Sequence, residues 1–238
     1  MKVKNRLLNY GMIIYQDDEW FKFSLDSVLL ANFVTINLKC KKIIDLACGN
    51  APIPMLLSTR TNAKIYGIEL QKCVYDLGIE SVNENNLSNQ ISLLCGDVKN
   101  INFFYDSEVF DTVVCNPPYF NTCNDGFFNN NKIKAIARHE VLLSLDDVVK
   151  SARYLLKNGG NFAMVHRSER FIEVVNCLKK YKFEPKKIQF IYPKDNSNSD
   201  LFLIEATKNG MPAVKILPGL IIHNVDGSYK DYIRDYFD

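Results

Sequence analysis

The sequence predicts an α/β fold with a doubly wound, mostly parallel, seven-stranded sheet. Short β-branched runs alternate with longer segments along most of the chain, and most of these runs end in polar or small residues. The 238 residues contain 47% hydrophobic residues, which suits one domain with an ordinary core. We therefore expect one main domain over residues 41–238 and a short extension over residues 1–40 that caps the sheet.

Seven apolar runs have the length and composition of buried strands. In chain order they are KKIIDLA (41–47), AKIYGIEL (63–70), ISLLCGD (91–97), FDTVVCN (110–116), NFAMVHR (161–167), IQFIYP (188–193) and DLFLIEATK (200–208). PMLLSTR and YDLGIESVNENN lie between the first of them, and LDDVVKSARYLLKNGG (145–160) has helical spacing with a predicted stop at Gly159 and Gly160. In the extension, FSLDSVLLANFVTI (23–36) predicts an amphipathic helix over one end of the sheet.

Charge and cysteine content narrow the class of protein. The net charge of +2 creates no strong field that demands a nucleic acid, although it permits a local basic surface. The seven cysteines form no C-x-x-C pair and are not spaced with the histidines in a zinc pattern, which predicts reduced thiols, no metal site and a cytoplasmic protein. No apolar stretch approaches the ~20 residues of a membrane span, and the N-terminus lacks the pattern of a secretory signal.

Four polar residues end the first four predicted strands: Asp45, Glu69, Asp97 and Asn116. Ligands of open α/β sheets bind at the carboxyl ends of the strands, near the point where the strand order reverses. These four side chains are therefore expected to line one crevice. The competing interpretation of each acidic residue is a helix N-cap at a strand-to-helix turn.

The first strand leads into DLACGNAP, in which Gly49 permits a tight turn and a close approach of the backbone to a ligand. Glu69 follows at the tip of the second strand, where a carboxylate can accept hydrogen bonds from both hydroxyls of a ribose. A dinucleotide fingerprint has three glycines and this loop has one, which disfavours NAD. S-adenosyl-L-methionine fits better because it has no pyrophosphate, and Asp97 can accept from its adenine amino group.

The stretch Asn116-Pro117-Pro118-Tyr119 points to transfer onto an exocyclic amine. Such a nitrogen is a poor nucleophile, and two acceptors aimed at its hydrogens, the carbonyls of the Asn116 side chain and the Pro117 backbone, would turn its lone pair toward an electrophile. The prolines stiffen the loop, and Tyr119 with Phe120 offers a stacking surface for a flipped base. The alternative is that the prolines only end a strand and Tyr119 packs in the core.

A polar segment at 121–140 follows this motif and has the length of a functional loop. Its basic residues Lys132, Lys134 and Arg138, together with KVKNR near the N-terminus and KKYKFEPKK (179–187), are candidates for contacts to RNA. We expect His139 to act as a loop residue or to face the RNA in preference to acting as a general base.

These motifs resemble the class I S-adenosylmethionine-dependent amino methyltransferases, which have a Rossmann-like fold. Within that group YQDDEWFKFSLDSVLLANF, RHE (138–140) and VKILPGLIIHNVDGSYKDYIRDYF resemble the bacterial tRNA1(Val) adenine N6-methyltransferases. The resemblance implies an enzyme that methylates N6 of adenosine 37, just 3′ of the anticodon, by direct transfer without a covalent intermediate. A guanine N2-methyltransferase of ribosomal RNA, a protein glutamine N5-methyltransferase and an RNA-binding protein on a methyltransferase scaffold remain as alternatives.

The resemblance also implies roles for individual residues. The cofactor-binding set is Phe23, Asp26, Asp45, Ala47, Gly49, Asn50, Glu69, Leu70, Asp97, Val98 and Asn116. Asn116, Pro117, Pro118 and Tyr119 would handle the target base, with Phe120, Lys132, Lys134, Arg138 and His139 toward the RNA. The first motif departs from the usual glycine-rich form at Ala47, Ala51 and Pro52. A monomer or a weak dimer is expected.

Overall fold

The computed structural model of the chain describes residues 2–7, 11–17, 25–117 and 143–234. The N-terminal extension contains a hairpin, β1 (Lys2–Leu7) and β2 (Met12–Asp17), followed by helix α1 (Leu25–Phe33). The sequence analysis did not predict this hairpin, in which buried and more exposed residues alternate along both strands, as expected for a sheet with one face on the core. Leu7, Met12 and Ile14 belong to the core cluster that also includes α1.

The central sheet has seven long strands and two short ones among the described residues. The long strands are β3 (Lys42–Leu46), β4 (Lys64–Glu69), β5 (Ile91–Cys95), β6 (Phe110–Cys115), β7 (Leu156–Arg167), β8 (Phe183–Tyr192) and β9 (Leu201–Lys208). The short ones, β10 (Lys215–Ile216) and β11 (Leu220–Ile221), both pair with β8. The prediction of a mostly parallel α/β sheet is confirmed. Strands β10 and β11 add to the sheet beside β8, its outermost long strand.

The order of the long strands is β8-β9-β7-β6-β3-β4-β5, and β9 is antiparallel to both of its neighbours. The chain moves from β3 through β4 to β5 on one side, then crosses back to place β6 on the other side of β3. The strand order therefore reverses between β3 and β6, which is where ligands of such sheets bind.

Helices cover both faces of the sheet. Besides α1 they are α2 (Pro52–Ser58), α3 (Lys72–Glu84), α4 (Leu145–Leu155), α5 (Phe171–Lys180) and α6 (Asp231–Arg234), with 3-10 helices at Val98–Phe103 and Ser168–Arg170. The hairpin, α1 and α2 contribute to one hydrophobic cluster, and α4 and α5 contribute to the other. The two clusters lie on opposite sides of the sheet, since neighbouring residues such as Ile43 and Ile44 of β3 belong to different ones.

Two connections differ from the sequence analysis. Helix α4 begins with a capping box between Ser144 and Asp147 but ends at Leu155, before the predicted glycine stop, because Leu156 already pairs with Phe110 in the sheet. Helix α5 lies between β7 and β8, where no helix was predicted. Its sequence FIEVVNCLKK has apolar residues at the i, i+3, i+4 and i+7 spacing of a helix, and Val174 and Leu178 on this face are buried, so the helical signal is present in the sequence.

The C-terminal end of α1 is held by side chains from distant parts of the chain. The Arg60 guanidinium donates to the carbonyls of Ala31 and Val34, the latter at 3.1 Å. The last carbonyls of a helix have no partner within the helix and carry partial negative charge, so a guanidinium there satisfies and stabilises them.

We expect Arg60→Ala to lower the free energy of unfolding by about 1 kcal/mol, because two carbonyls lose their charged donor. Arg60→Lys keeps the charge without the two-pronged geometry and should lose less. Urea unfolding monitored by circular dichroism measures both changes. An unfolding midpoint of Arg60→Ala equal to that of the parent protein would refute this account of α1.

Candidate active site at the carboxyl edge of the sheet

The ends of four parallel strands lie level with one another at the strand-order reversal. Leu46 of β3 pairs with Ile68 of β4 and with Cys115 of β6, and Glu69 pairs with Cys95 of β5. In sheet order, the polar residues at this edge are Asn116, Asp45, Glu69 and Asp97. The four side chains expected to share a crevice therefore come from adjacent strands.

Asp45 and Glu69 are buried carboxylic acids on neighbouring strands, 1% and 6% exposed. Neither oxygen of Asp45 has a hydrogen-bond partner among the described residues. Burial, and in second place the nearby Glu69 carboxylate, raises the pKa of Asp45 well above its ordinary value, and burial also raises the pKa of Glu69. A buried carboxylate without a partner is costly, so this position favours a ligand that brings a positive charge or a donor.

Glu69 is held in place by backbone donors from two segments. Its Oε2 accepts from the Gly49 N–H at 3.0 Å, and its Oε1 accepts from the Gln71 N–H at 2.9 Å. Each carboxylate oxygen has a second lone pair, so Glu69 retains two acceptor sites in a fixed orientation. The Gly49 bond also links the loop after β3 to the end of β4.

The loop after β3 has left-handed backbone at three alternate residues. The φ angles of Ala47, Gly49 and Ala51 are 57°, 58° and 69°. A Cβ atom at Gly49 would meet no described atom within 4 Å, so the backbone is open to a ligand there. The departure from a glycine-rich motif thus places two alanines in a conformation that costs roughly 1–2 kcal/mol for each.

Asn50 connects this loop to the N-terminal hairpin. Its Nδ2 donates to the Tyr15 carbonyl of β2 at 2.8 Å, and the side chain is 5% exposed. The Tyr15 N–H donates to Ser81 Oγ of α3 at 2.9 Å, so the hairpin is anchored on both sides. Sequence analysis placed Asn50 at the cofactor but missed this contact with the hairpin. Residues 12–17 read MIIYQD, and their alternation is visible only in the burial of the folded strand.

Asp97 follows β5 and serves as the N-cap of the 3-10 helix 98–103. Its side chain accepts from the Lys99 N–H at 2.9 Å, and its other oxygen lies 3.7 Å from Lys99 Nζ. The cap interpretation therefore holds for Asp97, whose side chain remains 26% exposed. Leu70 is 41% exposed at the neighbouring strand end, and Val98 is buried beside Asp97.

Asn116 directly follows β6, and its Nδ2 donates to Ser27 Oγ of α1 at 3.1 Å. The bond joins the strand end to the first turn of a helix from the extension, where Asp26 also lies. Pro117 is buried. The other predicted site residues lie outside the described residues: Phe23, Pro118, Tyr119, Phe120, Lys132, Lys134, Arg138 and His139.

Three of the five lysines in the segment 179–187 lie beside acidic side chains, and Lys182 is exposed. Lys179 pairs with Glu184, Lys180 pairs with Asp146, and Lys187 lies 3.7 Å from Glu205. Helix α5 also returns from the carboxyl end of β7 to the start of β8. Its last residues therefore lie at the amino ends of these strands, away from the carboxyl ends that carry the site.

The N-terminal lysines are paired as well. Lys2 pairs with Glu80 and Lys4 with Glu84, both from α3, whereas Arg6 is exposed on the same strand.

The buried thiols at the site are not poised as nucleophiles. Burial raises the pKa values of Cys48 and Cys115 well above the ordinary thiol value, so both are protonated at neutral pH. Among the described residues no cluster of histidine, cysteine or acidic side chains has the arrangement of a metal site. None of the helices in the described ranges is long and apolar enough to span a membrane.

The raised pKa of Asp45 predicts a gain in stability for Asp45→Asn in the ligand-free protein. Ionisation of Asp45 opposes folding once the pH exceeds its ordinary value, so the variant should melt at least about 2 °C higher at pH 8. The difference should shrink as the pH falls through the ordinary carboxyl pKa, because only below it is the carboxyl protonated in the unfolded state as well as in the folded state. Thermal denaturation between about pH 3 and pH 8 measures it.

Asp111 provides a matched control of opposite sign. It accepts from the Lys157 ammonium at 2.6 Å and from two backbone N–H groups, and its pKa is lowered. Its stabilising contribution is present above the ordinary carboxyl pKa and is lost as the pH falls through the lowered value. Asp111→Asn should therefore melt lower at pH 8. A lower melting temperature for Asp45→Asn at that pH would contradict the account of the buried pair.

Residues 38–211 match the family model described as a methyltransferase domain. The chain is 26% identical over 215 residues to the tRNA1(Val) (adenine(37)-N6)-methyltransferase of Aliivibrio salmonicida, covering 89% of this chain and 87% of that protein. It is 24% identical to the Bacteroides thetaiotaomicron protein of the same name, covering 94% of this chain and 93% of that one. These matches confirm the resemblance that the motifs predicted.

Among solved structures, a predicted O-methyltransferase from Agrobacterium tumefaciens superposes with a TM-score of 0.71 at 20% identity, over 89% of this chain and 94% of that chain. At this identity the likeness concerns the fold. Because the family model covers the whole sheet from β3 to β9 and the edge that carries Asp45, Glu69 and Asn116, the chain belongs to the methyltransferase-domain family.

Proposed function

We propose that this protein transfers a methyl group from S-adenosyl-L-methionine to the exocyclic N6 of an adenosine in tRNA, adenosine 37 beside the anticodon of tRNA1(Val). The observation that carries the proposal is the placement of Asn116 next to the buried Asp45 and Glu69 at one sheet edge. The names of the relatives that match nearly the whole chain support the choice of base and RNA.

The residues at the edge fit this cofactor. Asp45 is buried without a partner among the described residues, and the methionine part of the ligand brings a cationic ammonium group. Glu69 has two remaining acceptor sites for the two ribose hydroxyls, fixed by the Gly49 and Gln71 N–H groups. Leu70 and Val98 would border the adenine, with Asp97 at its amino group.

The protein's part in the transfer is to orient the target amine. When bound, S-adenosyl-L-methionine supplies an electrophilic methyl group on a sulfonium. The Asn116 Oδ1 and the Pro117 carbonyl accept the two N6 hydrogens, which turns the nitrogen lone pair toward that methyl group. The N–CH3 bond would form as the S–CH3 bond breaks, with S-adenosyl-L-homocysteine as the leaving group, and the extra proton on the nitrogen would then pass to water. The two carbonyl dipoles favour the positive charge that develops on nitrogen.

No covalent intermediate on the protein is required by this route. The nucleophile is the substrate amine itself, and the protonated thiols of Cys48 and Cys115 take no part. The role of Tyr119 as a stacking surface and the RNA contacts of residues 120–139 complete the proposal. We also propose that the protein acts in the cytoplasm as a monomer or weak dimer.

The same acceptor chemistry would serve a guanine N2 or a glutamine amide. An experiment with labelled cofactor separates these substrates. Tritium transfer from S-adenosyl-L-methionine to total RNA, DNA and protein from a strain lacking the modification should label tRNA, with N6-methyladenosine as the labelled nucleoside. Label in N2-methylguanosine or only in protein would overturn the proposal.

We expect Asn116→Ala to bind cofactor with a Kd within about twofold of the parent protein and to lose at least about 100-fold in kcat, since the amine loses an acceptor used during transfer. Calorimetric titration and single-turnover assays on unmodified tRNA give the two quantities. Asn116→Asp, which keeps an acceptor, should retain more activity than Asn116→Ala. Transfer by Asn116→Ala at the parental rate would show that the mechanism is wrong.

A further inference from the structure

We infer that Ser27 is a positioning residue for the transfer reaction: it holds the Asn116 side-chain amide so that the carbonyl oxygen, and not the NH2 group, is presented to the substrate amine. This inference rests on the proposed function of the same site. It assigns a role to a residue of the N-terminal extension that none of the sequence motifs singles out.

The contact itself is a partly buried hydrogen bond between two side chains. Asn116 Nδ2 donates to Ser27 Oγ at 3.1 Å, and Ser27 is 3% exposed. The hydroxyls of Ser58 and Ser81 donate to carbonyls within their own helices, and Ser81 Oγ also accepts from a backbone N–H of the hairpin. Ser27 Oγ accepts instead from a side chain at the end of β6.

The orientation of the Asn116 amide decides whether it can serve the reaction. Rotation by 180° about the terminal torsion exchanges the oxygen with the NH2 group, and the two orientations have nearly the same shape. In the exchanged orientation two donors would face the two hydrogens of the substrate amine. Ser27 Oγ favours the productive orientation by accepting from Nδ2. A serine hydroxyl can also donate, so it opposes the exchange when its own proton is donated elsewhere than to Asn116.

Helix α1 gives Ser27 a fixed position. Val28 and Leu30 next to it are fully buried in the core, and the helix packs against α2 and β7. Its C-terminal end is held by Arg60, as described above, and by Lys187 Nζ, which donates to the Phe33 carbonyl at 2.6 Å. The first turn of α1 therefore cannot shift without loss of contacts along the whole helix.

We expect Ser27→Ala to lower kcat about 5- to 10-fold, the rate equivalent of one lost neutral hydrogen bond. The KM for tRNA and the Kd for S-adenosyl-L-methionine should stay within about twofold, because Ser27 acts through Asn116. Ser27→Thr keeps the hydroxyl and should restore kcat to within about twofold of the parent protein. A merely structural role would not produce this separation of kcat from KM together with rescue by threonine.

Thr112→Val is the matched control. It removes a buried hydroxyl from β6, the strand that Asn116 follows, but near the start of that strand and away from the site. Thr112 Oγ1 lies there 3.8 Å from Cys40 Sγ, so the variant should leave kcat at the parental value. The inference would be overturned if Ser27→Ala kept the parental kcat, or if its KM for tRNA rose by as large a factor as its kcat fell. It would also be overturned if Ser27→Thr were as slow as Ser27→Ala.

A second measurement reports on the contact without catalysis. In 15N spectra of the ligand-free protein, the Asn116 side-chain NH2 should exchange its protons with water faster in Ser27→Ala than in the parent protein or Thr112→Val. Unchanged exchange would overturn the inference, even if tRNA methylation is confirmed. Conversely, absence of tRNA methylation by the parent protein would refute the proposed function, while the exchange data would still report on the contact.

Discussion

The Asp45 and Glu69 carboxyl groups lie on neighbouring parallel strands and are withdrawn from water together. Their burial is unfavourable for the charged forms, which is why both pKa values are raised. Glu69 is compensated by two backbone N–H groups, whereas Asp45 has no partner among the described residues. These buried carboxyl groups therefore lower the stability of the ligand-free protein, and binding of a cationic ligand beside Asp45 would offset that loss.

The surrounding structure holds this edge in place. The bond between Gly49 and Glu69 joins two strand ends, the Asn50 amide ties the loop to the hairpin, and the Ser27 hydroxyl ties the end of β6 to α1. The N-terminal extension thus contributes to the site as well as to the core. Two of the three bonds reach residues that precede the main α/β domain in the sequence.

Much of this architecture is predictable from the sequence because it depends on local signals. The strands before Asp45, Glu69 and Asn116 are continuous β-branched runs, and parallel strands bring their carboxyl ends to one edge. The hairpin was missed because its strands are short and their sequences, KVKNRL and MIIYQD, do not alternate regularly between polar and apolar residues. Helix α5 was missed although its apolar residues have helical spacing. The bond between Ser27 and Asn116 spans 89 positions, and no local pattern encodes such a contact.

The loop after β3 shows how composition can mislead about geometry. Ala47 and Ala51 occupy left-handed positions for which glycine is the usual residue, so counting glycines understates the sharpness of the turn. Asp97 shows that a capping role and a place at the site are compatible, since the cap uses one oxygen and the side chain remains partly exposed.

The central claim is that Asn116 presents an acceptor to the target amine while its NH2 group is held by Ser27. A structure of the protein with S-adenosyl-L-homocysteine and an unmodified anticodon stem-loop tests it most directly. The account predicts a distance of about 3 Å between Asn116 Oδ1 and the adenine N6, with Nδ2 on Ser27 Oγ. An adenine N6 out of hydrogen-bonding reach of Asn116, or facing its Nδ2, would contradict it.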